Sequence, residues 1–270
     1  MKIIVMKTLR MIGMALSAVL MCANLTSCGS DEENEPKEDG GIVVGGKKVT
    51  KLVATYDDGF ENYTFSYDNK DRLIEAEHSE EYGINKYTYQ YQFIWGDGAI
   101  KVRCCESGSS SCSNYTLNLE NGLVQTEDYG HKAATYTYNS SNRLVNFSDG
   151  RDWIHFAIWD GDKLVSIYEP DDWEGWDAII TYEKSCKKGY FPLMATIMDI
   201  SECQILFIVH PELAGIRTSQ LPAKITWDYK YSKSKTSTFS YEFDKDGYVT
   251  KIIEQNIDGT IHGTYTLSWE

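Results

Sequence analysis

An alternation of aromatic and polar residues recurs along most of this chain and constrains its fold more than any other feature. Residues 87–95 read Tyr-Thr-Tyr-Gln-Tyr-Gln-Phe-Ile-Trp, and shorter runs of the same kind occupy residues 63–67, 135–138, 239–243 and 265–269. A period of two places every aromatic side chain of a run on the same face of a β-strand. The pattern predicts an all-β protein of antiparallel strands, each with one apolar and one polar face.

A seven-residue frame repeats between these runs. Tyr67–Leu73 (YDNKDRL) aligns with Tyr138–Leu144 (YNSSNRL), and looser copies occupy residues 93–99, 117–123, 158–164 and 243–249. The fifth position holds a type that tolerates left-handed backbone, namely Asp71, Asp97, Asn121, Asn142, Asp162 or Gly247. Such a residue after a type I turn closes hairpins. We therefore predict an up-and-down meander of repeated hairpins, forming a curled sheet or soluble barrel.

One segment departs from the alternation. Residues 191–198 contain an early proline, and residues 205–209 form the solid apolar run Ile-Leu-Phe-Ile-Val. Periodicity does not separate a buried strand from a buried helix in so short a run. We expect a short helical or irregular segment near residues 190–216, which covers an open end or a face of the sheet.

Charge and patterning exclude several classes of protein. The formal net charge of −14 argues against nucleic acid as a partner, because phosphate contacts require Lys and Arg. Transmembrane strands require an outward apolar band with aromatic girdles, which the alternating strands resemble. Charged residues nevertheless recur on both faces near the middle of the strands, so a soluble sheet is favoured over a membrane barrel.

Residues 1–27 have the features of a secretory signal peptide. Lys7 and Arg10 form a positive start, residues 11–25 are largely apolar, and the segment ends in Leu25-Thr26-Ser27-Cys28. The apolar stretch is too short to favour a transmembrane helix. Leu-x-Ser-Cys resembles the lipobox of bacterial lipoproteins. That resemblance implies cleavage before Cys28 and lipid attachment on Cys28, and three acyl chains anchor a protein firmly in a membrane.

Residues 28–47 form an acidic and glycine-rich tether that cannot fold alone. Its start, Ser30-Asp31-Glu32-Glu33, resembles the surface-export signal of Bacteroidetes lipoproteins, which implies display on the outer face of the outer membrane. A plain acidic tether is the alternative. Residues 48–270 are expected to form one antiparallel β domain.

The tandem frame supports a further resemblance. Tyr67–Leu73 resembles the Tyr-Asp-x-x-Gly-Arg-Leu unit of the YD repeats in Rhs-type shell proteins, with Asp71 in place of the glycine. Together with the lipobox and the acidic tether, these degenerate repeats resemble a family of gut Bacteroidales lipoproteins of unknown function. Membership of that family implies a porin-like, curled antiparallel β fold and assigns no activity.

Five cysteines follow Cys28, namely Cys104, Cys105, Cys112, Cys186 and Cys203. Either Cys104 or Cys105 is placed to bridge Cys112 across the Ser/Gly-rich turn at 106–111, and Cys186 is placed to bridge Cys203. The odd number leaves at least one thiol unpaired in a monomer. Their spacings, with no histidine nearby, match no zinc pattern, so no metal site is expected.

The segment from Glu169 to Asp177 contains five acidic residues and two tryptophans in an expected loop. Indoles stack on sugar rings and carboxylates bind hydroxyl groups or calcium, so Asp171, Asp172, Trp173 and Trp176 are candidate ligand-binding residues. The alternative is an acidic hairpin loop whose indoles fold onto the sheet.

No catalytic frame is recognisable in the sequence. Five scattered histidines lie beside no nucleophile motif, and we expect neither catalytic residues nor a cofactor. We favour a cell-surface binding module for a glycan or a protein, held to the membrane by the lipid on Cys28. The alternatives are a structural accessory that docks to another outer-membrane protein, and a glycan hydrolase whose paired carboxylates are distant in sequence.

Overall fold

The computed structural model describes residues 46–130, 132–150, 153–170, 175–182, 191–198, 200–201, 203–218 and 220–270. Within these ranges it contains sixteen β-strands in one sheet: β1 (Val49–Tyr56), β2 (Gly59–Tyr67), β3 (Leu73–Tyr82), β4 (Asn85–Gly96), β5 (Ala99–Glu106), β6 (Cys112–Glu120), β7 (Leu123–Asp128), β8 (Ala133–Tyr138), β9 (Leu144–Ser148), β10 (Ile154–Asp160), β11 (Lys163–Tyr168), β12 (Trp176–Tyr182), β13 (Pro222–Tyr229), β14 (Lys235–Phe243), β15 (Val249–Asn256) and β16 (Ile261–Trp269).

The sheet closes into a barrel. Each strand pairs with its sequence neighbour, and β16 pairs with β1 in antiparallel register from Trp269 opposite Val49 to Gly263 opposite Tyr56. Beyond the strand ends, Lys48 and Glu270 exchange two backbone hydrogen bonds of 2.8 and 3.0 Å. The predicted all-β meander is therefore confirmed. Closure satisfies the backbone groups that an open curled sheet would leave at its edges.

The aromatic face of the strands points into the barrel. Phe65, Phe93, Tyr136, Phe239 and Tyr265 are each less than 8% exposed and belong to one continuous hydrophobic core. Burial of these large rings supplies most of the driving force for folding, because apolar burial stabilises by about 25 cal/mol per Å². The interior is therefore a packed core rather than an open channel over much of its length.

Polar side chains cover most of the outer wall. Glu75 on β3, Gln90 and Gln92 on β4, and Lys101 and Arg103 on β5 are all exposed and alternate with the buried positions. A transmembrane barrel has the opposite arrangement, an apolar outer band around a polar interior. On these three strands the outward positions are therefore largely polar.

The seven-residue frame has a common turn geometry in three of its copies. In the first, Asp68 Oδ1 accepts hydrogen bonds from the backbone N–H groups of Lys70 and Arg72, at 2.8 and 3.0 Å. Asn139 and Asp244 make the equivalent pair of bonds. In these copies the fifth position is left-handed as predicted, at Asp71 (φ 61°), Asn142 (φ 58°) and Gly247 (φ 89°).

The other three copies close with two-residue loops, and the prediction for the fifth position holds in only one of them. Asn121 is left-handed together with Gly122. In the other two loops the positive φ falls on Gly98 rather than Asp97, and on Gly161 rather than Asp162. A glycine adjacent to the frame position takes the left-handed conformation there because it has no Cβ to clash.

Tyrosine hydroxyl groups bond across the sheet, and two of these tyrosines, Tyr67 and Tyr138, open a frame. Hydroxyl groups of Tyr67, Tyr138, Tyr182 and Tyr241 donate to the carbonyl oxygens of Val49, Val124, Leu164 and Pro222. Register shifts occur beside three of these tyrosines, at Ser66/Tyr67, Thr137/Tyr138 and Thr181/Tyr182. Indole N–H groups of Trp95, Trp159 and Trp269 donate to Leu73, Leu144 and Val249 at 2.7 Å. Tyrosine and tryptophan side chains therefore supply donors for carbonyl groups where the ladder is irregular.

The segment near residues 190–216 is helical, as predicted, and lies against the inner face of the barrel. It contains helix α1 (Met194–Met198), helix α2 (Gln204–Val209) and a 3₁₀ turn (Pro211–Ala214). Phe191 packs on Phe239 of β14, and Phe207 packs on Tyr136 of β8. The segment covers the inner face of the sheet, in agreement with the expectation, and its side chains complete the core. None of the helices in the described ranges has the length and hydrophobicity needed to cross a membrane.

Candidate functional site

The helical segment fills one end of the barrel interior. His210 Nε2 accepts a hydrogen bond from Leu73 N at 3.3 Å, and Gly215 O accepts one from Leu144 N at 3.3 Å. Leu73 and Leu144 both follow the seven-residue turns, so the helices occupy the end of the barrel at which those turns lie. The opposite end, where residues 57–58, 230–234 and 257–260 connect strands, retains an internal cavity.

This internal cavity has a volume of about 240 Å³. Its wall consists of α1, α2 and the inner faces of β1, β2 and β13–β16. Aromatic rings and three charged groups line it: Tyr56, Glu61, Tyr63, Trp227, Lys235, Phe239, Glu254 and Tyr265. Apolar pockets with a few convergent polar groups are the usual form of a small-ligand site, and this volume suits a ligand smaller than a typical drug molecule.

Glu254 is the most buried charged group of the cavity, at 7% exposure. Its Oε1 accepts a hydrogen bond from Ser237 Oγ at 2.6 Å, and its Oε2 accepts one from the Tyr265 hydroxyl at 2.8 Å. Burial, followed by the charge of Glu254, raises the pKa of Tyr265, so this hydroxyl remains a donor. The two donors fix the orientation of the carboxylate in the wall.

Glu61 forms a second carboxylate cluster in the same cavity. The hydroxyl groups of Tyr63 and Tyr82 each donate to one of its oxygens at 2.5 Å. Burial is the largest cause of the raised pKa of both tyrosines, and the Glu61 carboxylate adds to it. His78 Nε2 lies 3.8 Å from Glu61, and burial lowers the pKa of this imidazole. The lowered pKa reduces the positive charge that His78 sets against Glu61.

Lys235 supplies the ammonium group of the cavity. Its Nζ lies 3.3 Å from His262 Nε2 and 5.5 Å from the centroid of the Trp227 ring. A second hollow, of about 480 Å³, lies at the rim and is lined by Tyr56, Asp57, Asp58, Tyr82 and His262. Tyr56 borders both spaces, and burial together with Glu61 raises its pKa to about 12.

The candidate ligand-binding residues from the sequence are only partly described. Trp176 is the first residue of β12, is half-buried and packs with its ring centroid 5.6 Å from that of His155. Its position agrees with an indole that folds onto the sheet. Asp171, Asp172 and Trp173 lie outside the described residues, as does Cys28.

The structure resolves one of the open cysteine alternatives. Cys105 and Cys112 form a disulfide, whereas Cys104 is a free thiol. Adjacent residues of β5 point to opposite faces of the sheet. Cys105 is the register partner of Cys112, whereas Cys104 lies on the inner face beside Tyr91. The expected pairing of Cys186 with Cys203 falls outside the described residues at Cys186.

The charged residues of the cavity are not among the sequence candidates. Glu61, Lys235 and Glu254 each occupy an inward position of an alternating strand, in phase with Tyr63, Phe239 and Ile252. These residues are recognisable in the sequence, because each is a charged residue at a strand position whose face also carries an apolar or aromatic residue. No cluster of potential metal ligands occurs among the described residues.

Solved structures that share this fold include two porin-like proteins. A porin-like protein from Bacteroides uniformis superposes with a TM-score of 0.60 at 14% identity, over 82% of this chain and 98% of that one. A porin-like protein from Bacteroides vulgatus gives a TM-score of 0.58 at 14% identity, over the same shares of the two chains. No protein-family model and no curated protein matches the sequence. At these identities the likeness establishes a porin-like barrel fold for this chain.

Proposed function

We propose that this chain is a binding module at the cell surface, which takes a small ligand such as the end of a glycan into its barrel. The internal cavity beside α1 and α2 is the observation that carries this proposal. Rings of Tyr56 and Trp227 offer faces for stacking, and the oriented carboxylates of Glu61 and Glu254 accept hydrogen bonds from hydroxyl groups.

Export and anchoring complete the proposal. Residues 1–27 direct secretion, Cys28 carries the lipid, and residues 28–47 tether the barrel to the outer face of the outer membrane. The polar outer wall supports this arrangement, because a barrel that stands in water requires a lipid for attachment. The net charge of −14 also suits a well-solvated surface protein.

A ligand screen tests the binding role. The full chain, purified in detergent, is titrated with a panel of mono- and oligosaccharides while tryptophan fluorescence and thermal unfolding are recorded. Trp227→Ala removes a ring that lines the cavity, and Trp153→Ala removes one that is 52% exposed and absent from its lining. We expect binding that Trp227→Ala weakens at least tenfold and Trp153→Ala leaves unchanged. Absence of binding across the panel would contradict the proposal.

A second candidate function is docking to another outer-membrane protein. On the outer wall, Ile158 and Ile179 are 47% and 54% exposed, and Phe156 stacks on Tyr168 with centroids 5.0 Å apart. These side chains share the outer face of β10–β12, and exposed apolar patches commonly mark protein interfaces. Cross-linking on whole cells tests this role. The native chain should give one stoichiometric cross-linked product. The double variant Ile158→Ser, Ile179→Ser should lose this product, whereas the control Ile94→Ser should retain it.

A further inference from the structure

The charges that line the cavity do not balance. Two carboxylates, Glu61 and Glu254, face one ammonium group, Lys235, and the rim hollow adds Asp57 and Asp58. An anionic ligand would meet an excess of like charge in a partly buried space, where charge interactions are stronger than in bulk water. A ligand with positive charge would meet a complementary wall.

Hydroxyl groups hold both carboxylates without neutralising them. Ser237 and Tyr265 donate to Glu254, and Tyr63 and Tyr82 donate to Glu61. Such donors orient a carboxylate and carry no positive charge of their own. Among the described residues, neither carboxylate forms an ion pair with a lysine or an arginine. A buried carboxylate without a cation is costly, so a cationic ligand gains the free energy of completing the pair.

Aromatic faces surround these carboxylates. The rings of Tyr56 and Tyr265 meet edge to face, with centroids 6.0 Å apart, and both line the cavity. The face of an aromatic ring attracts cations, most strongly where water is excluded. Lys235 Nζ already uses the Trp227 face in this way, at 5.5 Å. Aromatic rings beside carboxylates form the type of wall that binds ammonium groups in proteins.

We propose that the cavity recognises a small ligand with a protonated primary amine, for which an amino sugar with its amine free is the probe. The ammonium group pairs with Glu254 and lies against the rings of Tyr56 and Tyr265, while Glu61 adds a second negative charge. This inference rests on the proposed binding function and specifies the chemical class of its ligand.

Titration calorimetry on the full chain in detergent, at pH 6, tests the inference with two matched probes. Glucosamine oligosaccharides carry the free amine, and N-acetylglucosamine oligosaccharides of the same length have the same rings without the charge. We expect the amine form to bind at least tenfold more tightly. Glu254→Gln keeps the size of the side chain and removes its charge, and we expect it to weaken amine binding about tenfold while N-acetyl binding changes little.

Two further variants complete the design. Glu242→Gln makes the same change on the outer wall, where Glu242 pairs with Lys251, and should leave binding unchanged. Lys235→Met removes the competing ammonium group and should raise amine affinity several-fold, which tests the charge argument even if Glu254→Gln fails to fold. Equal or tighter binding of the N-acetyl form, or no gain in Lys235→Met, would overturn the amine preference and leave the binding role intact. If neither probe binds and the wider sugar panel also fails, both proposals fall.

Discussion

Asn142 illustrates how single residues set the hairpin turns. Its φ of 58° lies in the left-handed region. Its carbonyl oxygen also lies close to Gly215, because a Cβ atom added to Gly215 would come within 2.4 Å of that oxygen. We expect Asn142→Ala to lower the free energy of unfolding by about 1 kcal/mol, because alanine tolerates left-handed backbone less well than asparagine. Asn142→Gly should remain within about 0.5 kcal/mol of the native chain. Urea denaturation measures both, with Ser140→Ala in the same turn as the neutral control.

Glu127 is a buried acid outside the cavity, and it couples stability to pH. Its Oε2 accepts hydrogen bonds from Ser201 Oγ at 2.7 Å and from the Tyr136 hydroxyl at 3.0 Å, and the side chains of Tyr129 and Cys203 also interact with this carboxyl group. Burial raises the pKa of this carboxyl group above its ordinary value. The folded state therefore retains the proton to higher pH than the unfolded state, and the contribution of Glu127 to stability falls as pH rises through this interval.

Substitution by glutamine tests this coupling. The glutamine side chain of Glu127→Gln is neutral at every pH. We therefore expect the free energy of unfolding of this variant to equal that of the native chain near pH 4, and to be about 1–3 kcal/mol larger than that of the native chain near pH 8. Denaturation curves at intervals between these pH values measure the difference. The exposed Glu120→Gln serves as the control. A constant difference at all pH values would show that packing, rather than protonation, distinguishes the two chains.

At the scale of elements, the β5–β6 hairpin depends on a covalent link as well as on its hydrogen-bond ladder. The disulfide joins Cys105 to Cys112 on the outer wall, with Cα atoms 4.3 Å apart and a sequence separation of 7 residues. A bridge over so short a loop stabilises by about 2 kcal/mol, chiefly by restricting the unfolded chain. We expect the double variant Cys105→Ser, Cys112→Ser to lose this amount in denaturation experiments under oxidising conditions.

The neighbouring thiol provides the control for this prediction. Cys104 lies on the opposite face of β5 and leaves the bridge intact when it is changed. Cys104→Ala should therefore remain within about 1 kcal/mol of the native chain. Equal stability of the double variant and the native chain would mean that the hairpin register is held by the ladder alone.

The elements with a regular alternation of apolar and polar residues could be predicted from the sequence. Strands such as β4, with five aromatic residues in phase, were predictable because one face had to be buried. The helical segment was predictable only as an interruption, since the apolar run at 205–209 fits a buried strand equally well. Its place inside the barrel depends on contacts such as Phe207 with Tyr136, which are 71 positions apart and leave no local signal.

At the scale of the whole molecule, neither the closure of the barrel nor its cavity could be predicted from local sequence patterns. Glu61 and Glu254 come from β2 and β15, and they share a wall only because β16 returns to pair with β1. Each is visible as a charged residue at an inward position, but nothing in either strand indicates the other. The meander was predictable from its turns, whereas the meeting of the first and last strands is a property of the complete sheet.

Closure also predicts how the chain tolerates rearrangement. Lys48 and Glu270 are joined by two backbone hydrogen bonds, so a short glycine linker can connect them. New ends placed at Ser109, an exposed residue of the β5–β6 loop, keep all sixteen strands paired. We expect this circular permutant of residues 46–270 to be a monomer whose melting temperature lies within about 5 °C of that of the unpermuted barrel, since 5 °C corresponds to roughly 1–2 kcal/mol in a domain of this size.

Deletion of residues 261–270 is the matched comparison. It removes β16, leaves β1 and β15 as unpaired edges, and takes away the Tyr265 hydroxyl that holds Glu254. Unpaired edges promote association between chains, so the truncated protein should aggregate or form dimers in size-exclusion chromatography, while the permutant should not. A monomeric, cooperatively folded truncation would show that the sheet is stable when open, and the cavity would then depend on the helical segment more than on closure of the barrel.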